Sequence, residues 1–458
     1  KTSFPIRRLR FAFHCSSQTL QTLAVSLNAL LFVDSVSYGN NTRVLNMKLS
    51  AVIVTLLITV GVAYYIYTPI PAAIDEPWKL MLLDAFVRPF MQADALLQDL
   101  GLSHHFKVLG GVLGSLGNYE GEQSVGVRVS DVKFDNIPVR VYEPPALGGG
   151  EGGLRRAVMF YHGGGWVYGS GKVGSYDILC RRMSDELNAV VVSVEYRLAP
   201  AVHFPVQYED CLRAARHFLE SDVLQKLSVD PQRVAVSGDS AGGNLAAAVA
   251  QQISVEDKVS FSVQALIYPV LQGLDLNTPS YQQNQNMAIL NRHMMAWFWL
   301  RYMGADTSFS PLILSPAFLH HPSIPPSLRS LVNWTTLLAP KHIKHYQPVN
   351  IEPGSQEVTK QDMELLSGLL DVRASPLLAE QGVLGRTPRA YIVTCEYDVL
   401  RDDGLMYGRR LQDAGVTVTA VHYDDGFHGC MSLTKWPFSF DVGKRLTRGY
   451  IDWLQENL

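Results

Sequence analysis

Three short segments, far apart in the chain, carry residue types that together make an acyl-transfer site. Gly238-Asp239-Ser240-Ala241-Gly242 sets a serine between glycines, after the β-rich run Arg233–Ser237 and before the helix-forming stretch Gly243–Ala250. That is the strand–turn–helix context of a G-x-S-x-G nucleophile elbow, where a sharp turn lifts the serine hydroxyl above the sheet edge. The helix that follows aims its N-terminal dipole at developing negative charge. The pentapeptide alone is also an ordinary Gly/Ser turn, so the rest of the chain must decide. A serine hydroxyl is a poor nucleophile at neutral pH. It needs a base, an acid that orients the base, and donors for an oxyanion.

Those partners have candidates at strand ends, in the order serine, acid, histidine expected of this architecture. The run Tyr391–Cys395 leads to Glu396-Tyr397-Asp398, and the run ending at Tyr423 leads to Asp424-Asp425-Gly426-Phe427-His428-Gly429. His428, in a Gly-flanked turn, is the expected base. Asp398 is the expected orienting acid, with Glu396, Asp402 and Asp403 as neighbouring alternatives. His162-Gly163-Gly164-Gly165-Trp166 follows the apolar run Ala157–Tyr161, the position that supplies further oxyanion donors. The N–H groups of Gly164 and Gly165 are expected to donate, Gly163 to shape the turn, and Ala241 N–H to complete the hole. The predicted set is therefore Ser240, Asp398 and His428 for catalysis and Gly163, Gly164, Gly165 and Ala241 for the oxyanion. No metal and no cofactor is expected.

Eight β-rich runs position these residues: Val127–Phe134, Ile137–Tyr142, Ala157–Tyr161, Ala189–Tyr196, Arg233–Ser237, Val263–Tyr268, Arg389–Cys395 and Thr417–Tyr423. Several are continuously apolar, as parallel strands covered on both faces must be. Asp135-Asn136 between the first two reads as a hairpin, so the sheet begins antiparallel. Helical stretches separate the later runs, giving a doubly wound α/β domain over residues 126–458. Residues 72–125 read as helices preceding the sheet. Residues 272–370 interrupt the alternation with Met294-Met295-Ala296-Trp297-Phe298-Trp299 and a Pro-rich segment. Both are expected to form a helical lid over the strand ends, where open α/β sheets bind ligands. The Trp297–Trp299 cluster reads first as core and second as an acyl-binding wall. Arg197 is expected to pair with Glu209 or Asp210.

Leu49–Tyr67 is uncharged over 19 residues and ends at Thr68-Pro69. At ~1.5 Å rise per residue such a helix spans the ~30 Å hydrocarbon core. Tyr64, Tyr65 and Tyr67 gather at one end, where interfacial aromatics belong. The stretch exceeds the usual signal-peptide length of about 7–15 residues and lacks a small-x-small cleavage site, so residues 47–68 read as an uncleaved signal anchor. Lys1, Arg7, Arg8, Arg10, Arg43 and Lys48 precede it against the single acid Asp34. The positive-inside rule then leaves the N-terminus cytosolic and the bulk of the chain across the membrane. Residues 1–46 read as an artefactual extension or a disordered tail. Asn333-Trp334-Thr335 is a glycosylation sequon on the far side; Asn40-Asn41-Thr42 is a second on the cytosolic side.

With 47% apolar and 18% charged residues the 458-residue chain has ample core, and its formal charge of −3 gives no case for nucleic acid. The five cysteines form no C-x-x-C pair, which argues against a zinc ribbon or a dense disulfide framework.

Through His162–Trp166, Gly238–Gly242 and Asp425–His428 the sequence resembles the hormone-sensitive-lipase group of α/β hydrolases. Tyr196–Pro200 and Ser375–Ala379 add to that likeness. The anchor ending Tyr64–Pro69, with Gly242–Val249 and Asp402–Tyr407, is similar to the arylacetamide deacetylase and neutral cholesterol ester hydrolase branch, from about Met47 to Leu458. The resemblance implies an α/β-hydrolase fold and a single-pass type II protein of the endoplasmic-reticulum membrane with a lumenal catalytic domain. It also implies a cofactor-independent serine esterase for lipophilic esters or arylacetamides, with no obligate protein partner. Asn333 matches a glycosylated position of that branch. Where some members carry a cysteine after the motif tryptophan this chain has Val167, so a disulfide from that position to Cys395 is absent. Two rival readings accompany this one: a non-catalytic receptor for a hydrophobic small ligand, and a serine peptidase.

Overall fold

The computed structural model describes residues 40–99, 126–145, 153–256, 259–344, 346, 359–435 and 438–458. The chain divides into two compact units, residues 1–65 and 66–458. In the first, helix α1 (Asn40–Ile66) contains the apolar stretch Leu49–Ile66, whose mean hydropathy is 2.2 and which buries no residue against protein. By length and composition this stretch is long and apolar enough to cross a membrane. Residues 1–39 of the expected extension 1–46 and residues 100–125 of the proposed N-terminal lid lie outside the described residues, while residues 40–46 open helix α1.

The second unit is built on one eight-stranded sheet. Its strands are β1 (Arg128–Phe134), β2 (Ile137–Glu143), β3 (Arg155–Tyr161), β4 (Ala189–Val194), β5 (Val229–Asp239), β6 (Val263–Ile267), β7 (Arg389–Tyr397) and β8 (Val418–Phe427). Their order across the sheet is β1-β2-β4-β3-β5-β6-β7-β8. β1 and β2 form the antiparallel hairpin turned by Asp135-Asn136, β2 also runs antiparallel to β4, and every later pairing is parallel. Several strands extend past their apolar runs: β5 spans Val229–Asp239, β7 takes in Glu396 and Tyr397, and β8 continues through Asp424–Phe427, where a register shift between Cys395 and Tyr397 lets the pairing resume at Tyr397–Phe427.

Side chains of the central strands alternate between two cores. Ala157, Met159 and Tyr161 of β3, with Val190, Val192 and Val194 of β4, enter one; Val158, Phe160 and Val191 enter the other. The first is covered by α4 (Val206–Phe218), the short α5 (Ser221–Lys226), α6 (Ala241–Ser254) and α9 (Arg401–Asp413). The second is covered by α3 (Gly174–Glu186), α10 (Asp441–Asn457) and the start of α2 (Pro77–Asp99). Burial on both faces explains why these strands read as unbroken apolar runs. The insertion between β6 and β7 adds α7 (Pro279–Gln283), α8 (Arg292–Met303) and several helical turns of four to six residues. Its Trp299, Leu300, Leu312 and Phe318 continue the first core.

Candidate active site

Ser240 stands between β5 and α6 with φ 54° and ψ −120°. For a residue with a side chain that conformation costs about 1–3 kcal/mol and persists only where surroundings over-determine it. They do so here. Ser240 N–H donates to the Ile267 carbonyl at 2.9 Å, and the Ser240 carbonyl accepts from Asn244 N–H at 3.1 Å. A Cβ on Gly242 would stand 2.0 Å from the Tyr161 carbonyl oxygen, so the elbow closes against β3 only because that position is glycine.

His428 follows β8 and brings Nε2 to 3.0 Å from Ser240 Oγ. Its Nδ1 lies 2.8 Å from Asp398 Oδ2, and Asp398 Oδ1 accepts from Leu400 N–H at 2.8 Å. A carboxylate only accepts, so Nδ1 carries the proton and the Nε2 lone pair faces the serine hydroxyl. Asp398 is 1% exposed and His428 7% exposed, so little water competes for either bond. The Asn284 side chain donates to the carbonyls of both Glu396 and Asp398 at 3.0 Å, fixing the end of β7. The Tyr268 ring packs 4.9 Å from the imidazole.

The neighbouring acids are engaged elsewhere. Glu396 bonds Arg401 and His422. Asp402 bonds Arg401 and Ser280 N–H. Asp403 accepts from Leu271 and Gln272. Asp398 alone of the four reaches His428.

The glycine loop stands beside the serine but divides its labour. Gly163 N–H is already given to Asp239 Oδ1 at 2.8 Å and Tyr176 Oη at 2.9 Å, so Gly163 anchors the loop and does not offer its N–H to substrate. Gly164 and Gly165 adopt φ 112° and 62°, a region that favours glycine. No protein acceptor for either N–H is found among the described residues. Ala241 is the first residue of α6, so its N–H has no acceptor within its own helix. These three N–H groups have no protein acceptor among the described residues. Burial pushes the Asp239 carboxyl up to about 6, against the opposing hydrogen bonds of Tyr176 and Gly163.

Aromatic residues of α8 close one side. A Cβ on Gly165 would stand 2.2 Å from the Phe298 ring, so that ring lies directly on the loop. Trp299 is fully buried against Trp166, whose ring also stacks on Tyr302 at 4.2 Å. Trp297 lies outermost, near Tyr168. Phe298 and Trp299 both belong to the buried core, and Trp297 is only partly buried against it. Arg197 pairs with Asp210, through Nε at 2.8 Å and Nη2 at 2.7 Å, rather than with Glu209. Cys180, Cys211, Cys395 and Cys430 are free and buried, and the Cys395 thiol is hydrogen-bonded with Cys430.

Sequence reasoning missed Asp239, Tyr176, Tyr268 and Asn284. Asp239 was legible in part, as the only acid inside the elbow. The other three sit where nothing local marks them.

Comparison with known proteins bears on the fold and the family. The profile of the alpha/beta hydrolase fold family matches residues 158–332 and 348–432. Neutral cholesterol ester hydrolase 1 of Bos taurus is 47% identical over 90% of this chain and 100% of its own length. Arylacetamide deacetylase of Mus musculus is 44% identical over 88% of this chain and 99% of its own. Among solved structures, the thermostable carboxylesterase EstE1 from a metagenomic library superposes with a TM-score of 0.55 at 30% identity, covering 76% of this chain and 95% of its own. The hyperthermophilic esterase from the archaeon Pyrobaculum calidifontis gives 0.55 at 27% identity, covering 82% and 97%. The chain belongs to the alpha/beta hydrolase fold family, in the branch of neutral cholesterol ester hydrolase and arylacetamide deacetylase.

Proposed function

We propose that the protein is a membrane-anchored serine carboxylesterase that hydrolyses lipophilic esters, and arylacetamides as a second class, through an acyl-enzyme on Ser240. The observation that carries this reading is the continuous relay from Ser240 Oγ through His428 to Asp398, at 3.0 and 2.8 Å. His428 Nε2 removes the hydroxyl proton as Oγ attacks the substrate carbonyl. Asp398 holds the imidazole in the reactive tautomer and stabilises the imidazolium. The oxyanion accepts from the N–H groups of Gly164, Gly165 and Ala241, which cost no reorganisation because the fold fixes them beforehand. His428 then protonates the departing alcohol or amine. Water repeats the sequence in reverse and releases the acid.

The insertion 272–370 and the helices that begin at residue 72 serve as the lid and acyl wall, with Phe298 against the oxyanion loop. Acylglycerols, cholesterol esters and xenobiotic esters fit an apolar wall beside such a relay. A cholesterol ester hydrolase and an arylacetamide deacetylase among the relatives support both substrate classes. Leu49–Ile66 is the anchor. The basic residues before it support a type II orientation with the catalytic domain in the lumen of the endoplasmic reticulum. Asn333 is exposed at the start of a helical turn and is the glycosylated residue on that side. Nothing favours the receptor or peptidase reading.

The test is turnover of a panel of acyl esters and one arylacetamide by membranes carrying the protein. Wild type should hydrolyse them and Ser240→Ala should lose at least ~1000-fold, the scale of removing a triad member. Equal turnover by the two would overturn the reading.

A further inference from the structure

A second cluster of chemically capable side chains lies at the ends of β7 and β8. His422 on β8, Glu396 at the end of β7 and His342 from the helical turn Pro340–Ile343 of the insertion converge, and their ligand atoms all lie within 4.8 Å of one another. His422 Nε2 stands 3.0 Å from Glu396 Oε2, and His342 Nδ1 stands 4.0 Å from the same oxygen. The catalytic relay uses none of the three.

We propose that His342, Glu396 and His422 form a divalent-metal site of the zinc class that clamps the insertion to the ends of β7 and β8. Nitrogen and carboxylate ligands held ~2.0–2.2 Å from zinc stand roughly 3.3 Å apart in a tetrahedron, within the spread found here. Two imidazoles with a carboxylate suit zinc, whereas magnesium and calcium take oxygen ligands. The supporting bonds leave the ligand atoms facing one another. Thr394 Oγ1 bonds His422 Nδ1 at 2.8 Å, which directs Nε2 inward. Arg401 Nη1 holds Glu396 Oε1 at 2.8 Å, which leaves Oε2 for the metal, and the arginine charge is balanced by Asp402 at 3.0 Å. The His342 carbonyl is pinned by Arg401 Nη2 at 3.3 Å and Gln283 Nε2 at 3.4 Å. Outer contacts of this kind orient metal ligands in built sites. His342 is only 7% exposed, and its ring makes no hydrogen bond among the described residues. Asp424 Oδ1, 3.5 Å from His422 Nε2 on a fully solvated side chain, supplies the fourth ligand and the entrance.

The site ties together segments 54 and 80 residues apart in sequence, from His342 to Glu396 and to His422. Glu396 lies two residues before Asp398, with both carbonyls on Asn284, so a bound ion stiffens the strand end that carries the catalytic acid.

The test uses the full chain, purified in detergent, stripped with a chelator and titrated with zinc chloride by calorimetry. The expected result is one zinc per chain, no magnesium binding under the same conditions, and a zinc-dependent rise in melting temperature. His342→Gln and His422→Gln should each weaken zinc at least ~10-fold, and the double variant should lose the melting shift. Labelling of Ser240 by a fluorophosphonate reports whether each variant is folded. Cobalt substitution of the wild-type chain needs no variant and should give the intense visible bands of a four-coordinate ion. Absence of zinc binding at ~100 μM, equal binding by wild type and the folded double variant, or a weak six-coordinate cobalt spectrum would each overturn the proposal.

Discussion

Asp239 Oδ1 accepts the N–H of Gly163 at 2.8 Å, so the residue before the nucleophile ties the elbow to the first glycine of the oxyanion loop. Tyr176 Oη closes the same knot, donating to Asp239 Oδ2 at 3.1 Å. The nucleophile and the oxyanion donors are thus held on one frame. Asp239→Ala should lower kcat by about 10- to 100-fold with KM little changed, because misplaced donors act on the transition state. Asp239→Asn keeps an acceptor for Gly163 and should lose less. Steady-state kinetics on a short p-nitrophenyl ester measures both.

Asp398→Asn preserves size but holds His428 in the wrong tautomer, and kcat should fall on the order of 10⁴-fold. Glu396→Gln and Asp403→Asn should not approach that loss, since neither touches the imidazole.

Gly165→Ala drives a Cβ into the Phe298 ring and strains a φ of 62°. Activity should fall by two orders of magnitude or more, on the scale of losing one oxyanion donor. Adding Phe298→Ala removes the clash but not the backbone strain. The double variant should recover part of the activity, which a rate measurement on the three proteins decides. No recovery would mean that Phe298 does not press on the loop.

Buried carboxyls set a pH dependence of stability. Burial pushes Asp403 up to about 7, although Leu271 N–H and the Gln272 amides bond it. In the unfolded chain an aspartate titrates near 4. The native state therefore holds a proton that the unfolded state has lost between about pH 4 and 7, and stability falls as pH rises through that window. Asp403→Asn cannot titrate, so the stability of wild type relative to the variant should decline from pH 4 to 7 and level off above. Melting temperatures of the two proteins across pH check the sign.

Asn333→Gln should abolish an endoglycosidase-sensitive shift in electrophoretic mobility if the catalytic domain is lumenal. A shift that survives in Asn333→Gln but is lost in Asn40→Gln would place the other end of the chain in the lumen.

Much of the scaffold was legible because parallel strands buried on both faces leave unbroken apolar runs, as Val190-Val191-Val192 does. Ser240 and the glycine loop were legible because their chemistry demands particular residues at particular spacings. The choice of Asp398 over Glu396, Asp402 and Asp403 needed three dimensions: all four sit within eight residues, and only the turn after β7 decides which faces His428. The insertion was legible as an interruption but not as elements, because its helical turns are too short to show a period. His342 illustrates the limit. Its partners come from β7 and β8, and no local pattern announces a meeting made by topology.

The central claim is that Ser240 carries the acyl group. Peptide mapping by mass spectrometry after fluorophosphonate treatment tests it most directly. The account predicts one adduct, on the peptide containing Gly238–Gly242, absent in Ser240→Ala and strongly slowed in a His428 variant. An adduct on any other residue, or undiminished labelling of Ser240→Ala, would contradict it.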